Sequence, residues 1–332
     1  MSIACVLAQT RPTDIPLIPA VLLVLLFAGM SVLSPWLAVR LRIFRPPVEG
    51  WPARFGPGDA AWKFLVLLIG AFVLMQAAGL LLYPLLTGLP ERERALVAGM
   101  LGTAVAFLAV LPLNAALRPD GTRILGLDVG RLPGGFLTGA AGFLIVFPWI
   151  FWLMVAGSFV LERFLPEVPR EHELFRLWQQ PETSSVFRAV ALFGAVIVAP
   201  FFEELVFRGF LQTGIARLFT RQRSPLIYPP APLSALPPAP LQADGLLVLD
   251  YALITTPSPP QPLTAARWAA IIITSGLFAM IHQPWTITIP IFLLALGLGY
   301  VYERTGSLWS CIFLHMLFNG FQFAMFLLIV SR

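Results

Sequence analysis

The chain has 332 residues, of which 58% are hydrophobic and only 12% charged, with a formal net charge of +5. Soluble globular domains carry about 25% charged residues, so this composition excludes a water-soluble globule. The positive balance does not mark a nucleic-acid binder either, because the arginines gather in alternate connections between apolar runs, as the positive-inside bias of a membrane protein requires.

About 20 apolar helical residues cross the roughly 30 Å hydrocarbon core. Runs of that kind predict spans at 17–39, 64–86, 95–117 and 132–161. They carry no ionisable residue deep inside, so residues 1–161 read as an amino-terminal transmembrane scaffold of four helices. Residues 162–185 are mixed in charge and contain Pro166, Pro169 and Pro181. They read as an exposed, partly helical extramembrane connection, in which His172 is a solvated loop side chain. From 186 to 332 the apolar runs carry chemistry. Two are short, 189–202 and 268–281, each ending at a polar group; two more follow at 285–302 and 305–331. Between them, 221–264 is dense in proline (Pro229, Pro230, Pro237, Pro238, Pro259 and Pro260) and is expected to be an extramembrane loop insertion. A short apolar patch at 246–254 interrupts it. Only helices satisfy all their own backbone groups in lipid, so the expected fold class is all-α, a polytopic membrane bundle of about eight transmembrane helices.

Arg40, Arg42, Arg45 and Arg54 follow the first span; Arg118, Arg123 and Arg131 follow the third; Arg217, Arg221 and Arg223 follow the fifth. The opposite connections are richer in acids, including Glu162, Glu167, Glu171, Glu173 and Glu182. Both termini are therefore expected outside and 221–264 in the cytoplasm, in a multi-pass protein of the cell (plasma) membrane. The two cysteines, Cys5 and Cys311, make no disulfide framework and no zinc motif. Cys5 follows too short a stretch for a signal peptide, so the first apolar run is expected to remain as a span.

An ionisable group at mid-span costs about 2.5–3.5 kcal/mol, so each one needs a reason. Three clusters stand out. In the first, Glu204 and Arg208 are four apart, in the favourable order for a helical ion pair. Glu203 lies about 100° round the helix from Glu204 and has no such local partner. One clamped carboxylate beside one free carboxylate suits a site in which the first organises and the second acts as a general base. Taken alone, the cluster also fits a paired-charge helix end. In the second cluster, His282 closes an uncharged run one turn after Phe278. In the third, His315 and Asn319 share one helical face, where they could merely bond a neighbouring helix. Two of only three histidines thus sit in apolar runs that also supply the deep glutamates.

These residues resemble the CAAX prenyl endopeptidase and bacteriocin-processing family (CPBP, or Abi) of intramembrane proteases. The family pattern of Glu-Glu-x-x-x-Arg, Phe-x-x-x-His and His-x-x-x-Asn stands here as Glu203-Glu204-x-x-x-Arg208, Phe278-x-x-x-His282 and His315-x-x-x-Asn319, with Gly297-Leu-Gly-Tyr-Val-Tyr-Glu-Arg-Thr-Gly-Ser-Leu-Trp309 before the last. The likeness covers about 188–319, and the 221–264 insertion departs from it. The resemblance implies an intramembrane endopeptidase whose Glu203 activates water with help from His282. It further implies that His315 and Asn319 stabilise the oxyanion and that Glu204 and Arg208 organise the site. The implied partners are the lipid bilayer and a peptide or membrane-protein substrate, with no nucleic acid; nothing sets an oligomeric state. No cofactor is called for. A divalent metal such as zinc would find its ligands in Glu203, His282 and His315, although His-Glu-x-x-His is missing. Two readings from other classes compete: an ion- or proton-coupled transporter, and a catalytically silent scaffold or immunity protein. A transporter should show broken helices in repeated halves, which the first four spans lack.

Overall fold

The computed structural model describes residues 17–40, 61–117, 125–164, 173–220, 265–282 and 284–330. The 221–264 insertion, its apolar patch and His172 lie outside the described residues. Among the described residues there is no strand. The chain runs through α1 (Leu17–Arg40), α2 (Ala61–Leu82), α3 (Glu91–Leu117), α4 (Leu132–Phe164), the short α5 (Glu173–Trp178), a composite helix α6, α7 (Ala265–Met280), α8 (Thr288–Thr305) and α9 (Leu308–Val330). Six of these helices are long and apolar enough to cross a membrane, and α1 and α7 contribute shorter apolar stretches. Large apolar side chains such as Val32, Leu80, Leu81 and Phe159 point outward, which suits lipid and not water. The polytopic helical bundle expected from composition is the fold observed.

Helix α6 differs from expectation. The polar residues after Phe202 do not end it. It continues through Ser185–Phe193, π-helical Gly194–Val198, Ala199–Glu204, π-helical Leu205–Gln212 and Thr213–Thr220. The buried charges are paired, so the backbone need not leave the helix to reach water. Its start is capped by Ser184, whose Oγ accepts from the Phe187 N–H at 3.1 Å. The Ser184 hydroxyl and N–H in turn donate to Glu93 on α3, which ties the start of α6 to the start of α3.

The described part of the 162–185 connection from Glu173 onward is less exposed than its charge suggests. Leu174, Phe175 and Leu177 on α5 are buried. The rings of Phe175 and Trp178 pack against Phe323 and Phe326 of α9. The apolar residues of α5 fall on one face, and that face closes over the end of the bundle while Glu173 and Arg176 stay outside.

Helix α9 is seated by glycines. A Cβ on Gly135 or Gly139 of α4 would come within 2.5 Å of Trp309 Cβ and 2.8 Å of the Ser310 carbonyl oxygen. Small residues spaced by four let two membrane helices approach this closely. Gly306, at φ 55°, ends α8 in a left-handed turn, and its carbonyl oxygen would lie 2.2 Å from a Cβ on Gly126. The Leu308 N–H then donates to the Leu125 carbonyl at 3.2 Å, joining the α8–α9 turn to the segment before α4.

Candidate active site

The middle of α6 presents two carboxylates to different neighbours. Glu204 and Arg208 are fully buried, and Arg208 Nη1 donates to Glu204 Oε1 at 3.2 Å. The same oxygen takes a second partner, His315 Nδ1 of α9, at 2.8 Å. Arg208 Nη2 reaches the Ala295 carbonyl of α8 at 3.2 Å, and its guanidinium lies 4.7 Å from the ring centre of Phe278 on α7. One arginine thus joins α6, α7 and α8, and one glutamate joins α6 to α9. The charge is thus paired and its two terminal nitrogens are satisfied, which favours keeping it in a bilayer, while Arg208 Nε and Glu204 Oε2 are buried without a hydrogen-bond partner among the described residues.

Glu203 faces the other way. Its Oε2 lies 3.9 Å from His282 Nε2 and 3.7 Å from His315 Nε2. Both separations exceed a direct hydrogen bond. The side chains of Glu203 and His282 retain 23% and 25% of their accessible surface, against 3% for His315. The tautomers follow from what each Nδ1 touches. His282 stands just past the end of α7, and its Nδ1 is 2.5 Å from the Phe278 carbonyl. That oxygen can only accept, so Nδ1 carries the proton and, in the neutral ring, Nε2 presents a lone pair toward Glu203. His315 Nδ1 donates to the Glu204 carboxylate in the same way, so its Nε2 also points at Glu203.

Asn319 is one turn beyond His315 on α9 and lines the same space, but one amide hydrogen is already committed: Nδ2 donates to the Ala195 carbonyl at 2.8 Å. Ala195 lies in the first π-helical segment, where the changed hydrogen-bond period leaves carbonyls available. Glu203, His282, His315 and Asn319 all border one cavity of about 260 Å³, whose remaining wall is mainly apolar, including Met154, Ile291 and Phe318.

Two features escaped sequence reading. Gln212 is four residues after Arg208 and is also buried; its amide donates to the Gly299 carbonyl at 3.2 Å and to Glu303 Oε1 at 2.9 Å. The i, i+4, i+8 series Glu204, Arg208, Gln212 was a signal for it. Phe278 is the second. Its ring stands between Arg208 and both histidines, 4.4 Å from the His282 ring and 5.9 Å from that of His315. In the sequence it served only as a spacing mark. Among the described residues, no group of three or more His, Cys, Asp or Glu side chains is arranged to hold a metal ion.

The family model described as type II CAAX prenyl endopeptidase Rce1-like matches residues 185–321. That interval begins at the first residue of α6 and ends two residues after Asn319. No curated protein and no solved structure matches the chain.

Proposed function

We propose, from the premise that residues 185–321 belong to the CAAX prenyl endopeptidase (CPBP) family, that the chain is an intramembrane endopeptidase in which Glu203 activates water against a peptide bond. The observation that carries this reading is the Glu203 carboxylate facing two histidine Nε2 atoms at 3.7 and 3.9 Å on the wall of a cavity. A water about 2.8 Å from both Glu203 Oε2 and His282 Nε2 would see them at roughly 90°, close to its own H–O–H angle. Both groups accept, so both water hydrogens are directed and an oxygen lone pair is left for the carbonyl carbon.

The water oxygen bonds to the scissile carbonyl carbon as one of its protons passes to Glu203. The carbonyl oxygen becomes an oxyanion, which receives the second Asn319 amide hydrogen and a hydrogen from His315 Nε2. His315 donates from both nitrogens as imidazolium, Nδ1 to Glu204 and Nε2 to the oxyanion. Collapse of the intermediate breaks the C–N bond, and the proton on Glu203 goes to the departing amine. Arg208 and Glu204 touch no reacting atom in this scheme; they hold His315 and Phe278 in position.

The test is the turnover of purified variants on a panel of apolar peptides in detergent. Glu203→Ala should abolish hydrolysis, while Asn319→Ala should bind substrate and lose about 10²–10³ in kcat, the usual effect of removing one oxyanion donor. Near-wild-type turnover by Glu203→Ala would end the assignment. Wild-type activity should survive exhaustive chelation; loss restored by zinc alone would replace this scheme with a metal-dependent one.

A further inference from the structure

We infer that the Gln322 amide is a substrate-binding group: it pairs with the backbone N–H and C=O of one residue near the scissile bond and holds that stretch of substrate extended. This rests on the endopeptidase reading of the site and adds the residue that grips the substrate backbone.

Helix α9 brings Gln322 to the cavity. His315, Asn319 and Gln322 stand at i, i+4 and i+7, on one helical face, and all three border the same space. Of the other polar side chains there, Glu203 and His282 are engaged by the proposed reaction, and the Thr103 hydroxyl donates to the Gly99 carbonyl of its own helix at 2.9 Å. Gln322 is left over. It keeps only 8% of its accessible surface, and its Oε1 is buried without a hydrogen-bond partner among the described residues. Its Nε2 meets the Met154 sulfur at 3.6 Å, and a thioether is a weak acceptor. Buried polar groups are nearly always paired, so an unpaired one in a cavity wall points to a partner that arrives from outside.

A peptide entering this cavity has the complementary need. Its backbone N–H and C=O groups leave water for a wall that is mainly apolar, and left unpaired there they oppose binding. Among the described residues no strand offers an edge to pair with them, so side chains must do it. In an extended chain one residue turns its N–H and its C=O to the same side. A glutamine amide presents an acceptor and a donor side by side, and its soft terminal torsion lets it turn to meet both. The spacing agrees. From Asn319 to Gln322 the helix rises about 4.5 Å, and the glutamine side chain is one methylene longer. Residues of an extended chain that face one side recur about every 6.7 Å. With the scissile carbonyl at Asn319, Gln322 therefore meets the substrate residue two positions away. The contact is to backbone, so it selects an extended peptide and not one particular side chain.

The test uses the full-length protein in detergent and the apolar peptide of the panel that wild type cleaves fastest, its scissile bond located by mass spectrometry. Gln322→Met keeps the length of the side chain and removes both hydrogen-bonding atoms. Its KM should rise about tenfold while kcat stays within about threefold. Its thermal midpoint should match or exceed that of wild type, because an unpaired buried oxygen is gone. Backbone esters then replace the peptide N–H two residues to either side of the scissile carbonyl. At one of these positions the ester should raise the wild-type KM several-fold and change that of Gln322→Met by less than about twofold. Equal effects of both esters on the two proteins overturn the inference, as does an unchanged KM in Gln322→Met. A fall in kcat at constant KM overturns it too, since Gln322 would then act in the chemistry. Gln322→Leu repeats the comparison if Gln322→Met does not fold, and if both melt well below wild type the amide holds the bundle and the inference falls. Each of these failures leaves the endopeptidase reading standing; if wild type cleaves no peptide of the panel, that reading falls and the inference with it.

Discussion

Glu203 and Glu204 are adjacent in sequence and differ in every physical respect that bears on chemistry. Glu204 has no exposed surface and shares one oxygen between Arg208 and His315. Glu204→Gln leaves the Arg208 guanidinium buried without a counter-charge, a loss of about 3–5 kcal/mol when such pairs are broken. Glu203 is partly exposed and makes no direct bond to either histidine, so Glu203→Gln removes little that holds the bundle together. Thermal unfolding of the two purified variants should therefore separate them: Glu204→Gln melts well below wild type, and Glu203→Gln stays near it but inactive. Equal midpoints would remove the division of labour. Arg208→Lys should not rescue. A lysine has one ammonium where Arg208 uses two nitrogens for Glu204 and Ala295 and lays its plane near Phe278. A kcat within a few-fold of wild type in that variant would count against the clamp.

At the scale of elements, the proposed chemistry requires two helices to be held at fixed depth. Helix α9 carries His315 and Asn319, and its approach to α4 is possible only because Gly135 and Gly139 have no side chains. Gly139→Val would drive a methyl into the Ser310 carbonyl, at a cost of about 1–3 kcal/mol for overpacking. The separation would move His315 away from Glu203, and displacements near 1 Å cost on the order of 10² in rate. The expected result is a variant that still folds, with its melting point lowered by several degrees and its kcat lowered far more; wild-type kcat would show that the α4–α9 contact does not set the site. Helix α6 is held at its other end by Ser184. Ser184→Ala removes an N-cap worth about 1 kcal/mol and the hydroxyl donor to Glu93 Oε2, while the backbone N–H of residue 184 still donates to Glu93 Oε1. It should lower the thermal unfolding midpoint, and an unchanged midpoint would show that the cap does not hold the start of α6.

For the whole molecule, the division into an amino-terminal scaffold of 1–161 and a protease core from 186 remains a proposal about roles. The two are not separable in packing terms. Helix α4 gives the core its glycine seat and Met154 of the cavity wall, and α3 gives Glu93 to the cap of α6. Residues 162–332 expressed alone should consequently lack Glu203-dependent hydrolysis, and co-expression with 1–161 should restore it. Activity in the carboxy-terminal half alone would make the first four helices dispensable. Much of this architecture was legible beforehand, because membrane thickness imposes a length and lipid imposes apolarity on each span separately. The Glu204–Arg208 pair was legible too, since an i, i+4 contact needs only a helix. Other features were not. The 14-residue run before Glu203 looked like a complete short span, and α5 looked solvated, because charge pattern alone does not say which polar groups will find partners on other helices.

Sequence by itself determined the class of the protein, the order of its spans and the length of most of them, the gathering of arginine in alternate connections and the residue types available for acid–base chemistry. Each of these is written in local composition or spacing, which lipid reads one segment at a time. Tertiary structure alone decided that Glu203 looks toward two histidine nitrogens while Glu204 looks toward Arg208, and that Asn319 spends one hydrogen on Ala195. It also decided that Phe278 and Gln212 belong to the site's support. Those outcomes depend on how close each helix can come to its neighbours, and the residues concerned are as much as 124 positions apart in the chain. No local periodicity carries information across that distance.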